Sequence, residues 1–246
     1  MGAYNNAESL KLIARSDSLK VGGLAIAGLA VNGHSIGERY KADIEADAIA
    51  MGATELLSNA TIGITAHSSE VGLNLNWNDH SDPISKGSLA MLMESDTSGN
   101  RVSLLSNNIL IKGNPWDVAF SEPITLAKKH LHMEGLSISS QGQEIKASAC
   151  IMQQPNDSIG LDIHNFALNQ INFLLGSTGF NLDGLVNGTV MMTNISETPY
   201  VDIKTTVDDC MINEQPLGDA NIQSQWDAEL QRLKAQIAVV EDLIDN

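Results

Sequence analysis

His130 and His132 stand two residues apart in the run from Lys128 to Glu134. On an extended strand that spacing turns both imidazoles to one face, as a pair of metal ligands would be arranged. No third ligand is apparent in the neighbouring sequence, and Lys128 and Lys129 precede the pair. The run therefore reads as a solvated strand edge, with no metal expected. His164 and His67 read as surface or strand-end residues, and His34 as part of a turn. Six histidines with no shared neighbourhood do not make a catalytic triad.

Paired acids are the next candidates for chemistry. Asp208-Asp209, Glu241-Asp242 and the alternating Asp43, Glu45 and Asp47 are present. The last set sits on one strand face without flanking aromatic residues, which suits a solvated exterior better than a pair of glycosidase carboxylates. No serine occupies a Gly-x-Ser-x-Gly setting. Gly22-Gly23 lies in an alternating apolar run with no Lys-Ser or Lys-Thr after it, unlike a phosphate-binding loop. The chain reads as non-enzymatic and without a cofactor. Cys150 and Cys210 are too few for a disulfide framework and match no zinc spacing, so each reads as a small buried thiol in a strand.

Composition narrows the partners. The 246 residues are 43% hydrophobic but only 4% aromatic, so Ala, Val, Ile, Leu and nine Met supply the apolar mass. A net charge of −16 opposes nucleic-acid binding and docking on an anionic membrane surface. The acids are scattered rather than gathered into an acidic tail. No stretch approaches the roughly 20 apolar residues of a membrane span. The apolar run from Val21 to Val31 is broken by glycine and lacks the basic flank of a signal peptide. A targeting segment, if there is one, is expected outside this sequence.

Period-two alternation dominates what remains. Tyr40, Ala42, Ile44, Ala46 and Ala48 alternate with Lys41, Asp43, Glu45 and Asp47. Ile62, Ile64 and Ala66, then Leu73, Leu75 and Trp77, repeat the pattern, as do Leu89, Met91 and Met93. Ile109 and Ile111 follow, then Ile145, Ala147 and Ala149, then Ile159, Leu161 and Ile163, then Val186, Gly188 and Val190. Turn signals fall at Asn32-Gly33, Gly113-Asn114-Pro115, Gln141-Gly142 and Asn187-Gly188. Two stretches are compatible with a helix. The first is Ala167 to Gly176, where Leu168, Ile171, Leu174 and Leu175 fall near helical spacing, and the second is the C-terminal tail. Residues 229–245 fit a heptad from Trp226 to Ile244 and also alternate from Leu233 to Val239. The internal layout favours the strand.

That layout occurs twice. Val31-Asn32 precedes Ile36-Gly37-Glu38 by three residues, and Ile212-Asn213 precedes Leu217-Gly218-Asp219 by three. A Trp-containing extended element follows each (Trp77, Trp226), then an alternating strand closing on acids. Reuse of a layout about 150 to 180 residues apart predicts stacked β units. The expected fold is mostly β: an elongated, repetitive antiparallel sheet curled into an open groove, with at most one or two short helices. It forms one region over 1–246, with approximate sub-units 1–100 and 101–246.

Small and flexible aliphatic side chains suit a groove that shelters acyl chains of varied shape. Its candidate lining is Tyr40, Ala42, Ile44 and Ala46 with Leu73 and Leu75, then Leu89, Met91 and Met93. Further along, Ile145 and Ala147 join Ile159, Leu161 and Ile163. The plain alternative is a closed sandwich or barrel core. A carbohydrate-binding sandwich is disfavoured, because only Trp77, Trp116 and Trp226 are available and two of them hold repeat positions.

Between about Val102 and Asp227 come Asn114-Pro115-Trp116, the element Leu131 to Met152, and Asn165-Phe166 closing a strand. The Gly-rich LDGLVNGTVMM and the unit from Ile212 to Asp227 follow. In that order and spacing the stretch resembles the periplasmic TamB-type translocation and assembly proteins of the AsmA-like group, particularly the long Bacteroidetes-like form. The resemblance implies a β-groove that carries phospholipids between inner and outer membrane and assists outer-membrane protein assembly. It also implies a periplasmic location, an inner-membrane anchor and an outer-membrane barrel partner, the last two engaged through regions not in this sequence. Only an interior portion of such a body is expected here. The rival reading is a non-catalytic structural or adhesive β-repeat module on the cell surface.

Overall fold

The computed structural model describes residues 2–6, 9–52, 54–79, 84–154, 157–175, 179–195, 199–227 and 232–240. The chain divides into two compact units, Met1–Asp117 and Val118–Asn246. The first holds β1 (Gly2–Asn6), β2 (Ser9–Val21), β3 (Leu24–Ile36), β4 (Arg39–Met51) and β5 (Thr54–His67). It continues through β6 (Glu70–Asp79), β7 (Ser85–Asp96), β8 (Gly99–Ile111) and the opening of β9 (Asn114–Phe120). Residue 100, where the sequence suggests a subdivision, lies inside β8. The second unit holds β10 (Ile124–Ala127), β11 (His130–Ser140), β12 (Gln143–Ile151) and β13 (Ser158–Ala167). After them come β14 (Leu182–Thr193), β15 (Tyr200–Ile212), β16 (Gln215–Asp227) and β17 (Arg232–Val240).

In each unit every strand pairs antiparallel with its sequence neighbour. The mostly-β antiparallel fold is therefore as the alternation predicts. A 3-10 turn (Leu168–Ile171) and the single-turn helix α1 (Asn172–Leu175) fall where a helix is expected. Asn172 holds them to β14, donating from Nδ2 to the Leu182 carbonyl and accepting from the Leu182 N–H, both at 2.9 Å. The described part of the tail, β17, is a strand paired with β16. Residues 228–231 and 241–246 lie outside the described residues. No helix among the described residues is long and apolar enough to cross a membrane.

Two expected turns are corrected. Gln141-Gly142 and Lys112-Gly113 do turn the chain, but Asn32-Gly33 lies inside β3 and Asn187-Gly188 inside β14. His34 is consequently a strand residue, opposite Lys11 and Lys41. In β14 the pair serves the sheet. Asn165 adopts φ +47° at a bulge in β13, and its N–H donates to the Asn187 side-chain oxygen at 2.8 Å. Gly188 has φ +139°, and a Cβ there would collide with the Lys204 backbone.

The repeated layout is also not a structural repeat throughout. Val31-Asn32 sits mid-strand and the chain turns at Gly37-Glu38, whereas in the second copy it turns at Asn213-Glu214 and Leu217-Gly218 lies within β16. Asn213 secures that turn by exchanging two 2.8 Å hydrogen bonds with Asn181. The Trp elements do correspond: Trp77 opens a strand pair onto β7 and Trp226 onto β17.

Few of the described apolar side chains are sealed in either unit. Among the described residues the buried apolar side chains are Ala46, Ala60, Ile109 and Trp116 in the first unit, and Ala149, Val207 and Ala220 in the second. The largest side chain under 2% exposed is Asp157, which accepts from the N–H groups of Met152 and Gln154 at 2.6 and 3.2 Å.

Candidate functional site

Antiparallel register decides which side chains share a face, because cross-strand partners point the same way. In the first unit Ala42 faces Gly33 and Ile64, Ile64 faces Leu73, and Leu73 faces Met91. The adjacent row runs Val31, Ile44, Ile62, Leu75, Leu89. Tyr40 leads through Ala66 and Val71 to Met93, and Ala46 faces Ala60. All nine candidate residues of this unit thus lie on one face of one meander.

The second unit builds its own block. Ile145 faces Ile163, Ala147 faces Leu161, and Ala149 faces Ile159. These rows continue across β14 through Gly188, Val190 and Met192. Of the fourteen candidates in the two units, twelve are half-buried, Ala46 is buried, and Tyr40 is 53% exposed. Strand packing in each unit runs from neighbour to neighbour, with the short helical turn laid against β14.

The first unit's apolar face has a depression. Gly33 carries no side chain and its neighbour Ala42 only a methyl, so a hollow of about 160 Å³ opens among Leu10, Leu12, Tyr40, Ile64 and Ala66. Leu12 and Gly33 escaped the sequence reading, the latter because Asn-Gly is a turn signal in isolation. Nearer the other end of the face the Trp77 ring lies over Gly87, whose missing side chain makes room for the indole. Trp116, opposite Ile109, is buried with its indole N–H unpartnered.

The reverse face carries Arg15, Glu45, Thr61, Asn76 and Ser88. At one end of the strands a recess of about 470 Å³ mixes His34, Arg39, Lys41 and His67 with Ile36, Tyr40, Ala66 and Leu92, so its lining is largely apolar. Its cations are partly offset, since Lys41 pairs with Asp43 at 3.3 Å and Glu70 shares the recess. Lys146 with Glu144 at 2.9 Å and Lys204 with Asp202 at 2.6 Å repeat this same-strand pairing two residues apart. In both, the lysine is held charged to higher pH by hydrogen bonding and attraction to its carboxylate. Such exposed pairs contribute little to stability. Cys150 and Cys210 are free thiols, half-buried rather than buried because the sheet that carries them has little interior. Desolvation still pushes the Cys210 thiol above its ordinary range.

No protein-family model, curated protein or solved structure matches the chain.

Proposed function

We propose that this chain is a periplasmic segment of a TamB/AsmA-like protein whose apolar face carries phospholipid acyl chains between inner and outer membrane and supports outer-membrane protein assembly. The observation that carries the reading is the run of aliphatic rows, half-buried and broad, with few large side chains sealed beneath them. A hydrocarbon chain needs apolar contact worth about 0.8 kcal/mol per buried methylene and no directional partner. Uniform walls of Ile, Leu, Met and Ala then favour sliding over capture at one point. The hollow over Gly33 and Ala42 supplies a place where a chain can seat against the sheet. No catalytic group is needed for this work.

Native mass spectrometry with lipid extraction, on the chain purified from a Gram-negative periplasm, tests the proposal. Co-purifying phospholipid that is lost in Ile44→Asp, with the fold retained by circular dichroism, supports it. A lipid-free monomer with a cooperative melt supports the adhesive or structural β module instead.

A further inference from the structure

The second unit brings Glu122 beside two ligand residues that already share a strand. Glu122, His132 and Glu134 bring one donor atom each to within 4.8 Å of one another, with His132 Nε2 3.9 Å from a Glu134 carboxylate oxygen. His132 and Glu134 share a face of β11 by strand alternation. Glu122 arrives from the connection between β9 and β10, and that connection is fastened. Ser121 donates its N–H to the Gly135 carbonyl at 3.1 Å and its hydroxyl to the Glu134 carbonyl at 2.9 Å. The receiving backbone is a bulge: β11 slips register between Met133 and Leu136, and Gly135 takes φ +64°. Only glycine fits there, because a Cβ would run into the Ser121 side chain.

Backbone bonds thus hold two carboxylates beside one imidazole, where like charge would otherwise drive them apart. We propose that Glu122, His132 and Glu134 form a surface site for a divalent metal of the Zn²⁺ class. One imidazole nitrogen and two carboxylate oxygens are a donor set for a borderline cation, and two negative charges match its +2. Side-chain exposures of 44% for His132 and 68% for Glu134 leave room for the small rotations that bring each donor to about 2.0–2.2 Å from the ion. Exposure also leaves the remaining coordination positions to water. A bound ion fixes the connection at Ser121-Glu122 against β11.

Calorimetric titration of the chelator-washed full chain with Zn²⁺ tests this, alongside four variants whose fold is checked by circular dichroism. One ion per chain is expected, with affinity reduced at least about tenfold in His132→Ala and in Glu122→Gln. His130→Ala and Cys150→Ser are expected to bind like the parent; Cys150 is the residue opposite His132 in register. Absence of binding overturns the proposal. So does binding that survives both His132→Ala and Glu122→Gln, or that disappears in Cys150→Ser.

Discussion

Gly33 faces Ala42 across the β3–β4 ladder, and the two together leave the hollow of about 160 Å³ in the apolar face. Gly33 is extended, and a Cβ there would approach Leu12 Cβ at 3.4 Å, so a larger residue is admissible. Gly33→Val should keep the fold and fill the hollow. Each methylene displaced from an acyl ligand should weaken binding about fourfold. Titration with a fluorescent fatty acyl probe measures this, and unchanged affinity would mean the hollow is not a chain seat.

The Trp77 ring occupies the space over Gly87. Gly87→Val must displace a rigid indole, and overpacking of this kind costs about 1–3 kcal/mol. The expected result is a lower denaturation midpoint with a shifted tryptophan emission. An unchanged midpoint would show that the indole has another resting place.

Asn187 accepts from the Asn165 N–H at the β13 bulge. Asn187→Ala leaves that part-buried donor without its partner and should cost about 1 kcal/mol. Urea unfolding measures it. Asn187→Asp keeps the accepting oxygen but loses the Nδ2 donation to Asp208 at 3.3 Å and sets two carboxylates together. It should therefore recover the loss only at a pH low enough to protonate one of them.

Asp96 closes the β7–β8 turn. Its carboxylate accepts from the Ser98 hydroxyl, from the Ser98 N–H at 2.7 Å and from the Gly99 N–H at 3.2 Å, which holds its pKa below the ordinary value. A depressed folded-state value means the stabilisation is present above the ordinary carboxylate range and is lost as pH falls through the lower, folded value. The Ser98 amide NMR signal should therefore titrate with a midpoint below that of an unperturbed Asp. In Asp96→Asn the step should vanish. A midpoint at or above the ordinary value would contradict the hydrogen-bonded carboxylate.

Strand content was legible because alternation such as Tyr40 to Ala48 is a local property, and one dry face accounts for it. Register was not, since it depends on pairing between strands. That is why Gly33 reads as a turn in sequence, although flanking strands hold it extended between Leu12 and Ala42. The Val31 and Ile212 layouts diverge for the same reason: similar residues meet different turns, Gly37-Glu38 in one case and the Asn181-clamped Asn213-Glu214 in the other. One acid near His132 was hidden differently. Glu122 lies ten positions away in sequence and reaches the histidine through the Ser121–Gly135 contact, which no local spacing encodes.

Leu73 and Asn74 are consecutive on β6 and point to opposite faces, Leu73 into the row with Ile64 and Met91, Asn74 beside Gly63 and Ala90. A photo-crosslinking amino acid at each position, irradiated in chain expressed in a Gram-negative periplasm, compares the two faces directly. A phospholipid adduct at position 73 and none at 74 is the predicted result. No adduct at 73, or equal adducts at both, would contradict a lipid path along the apolar face.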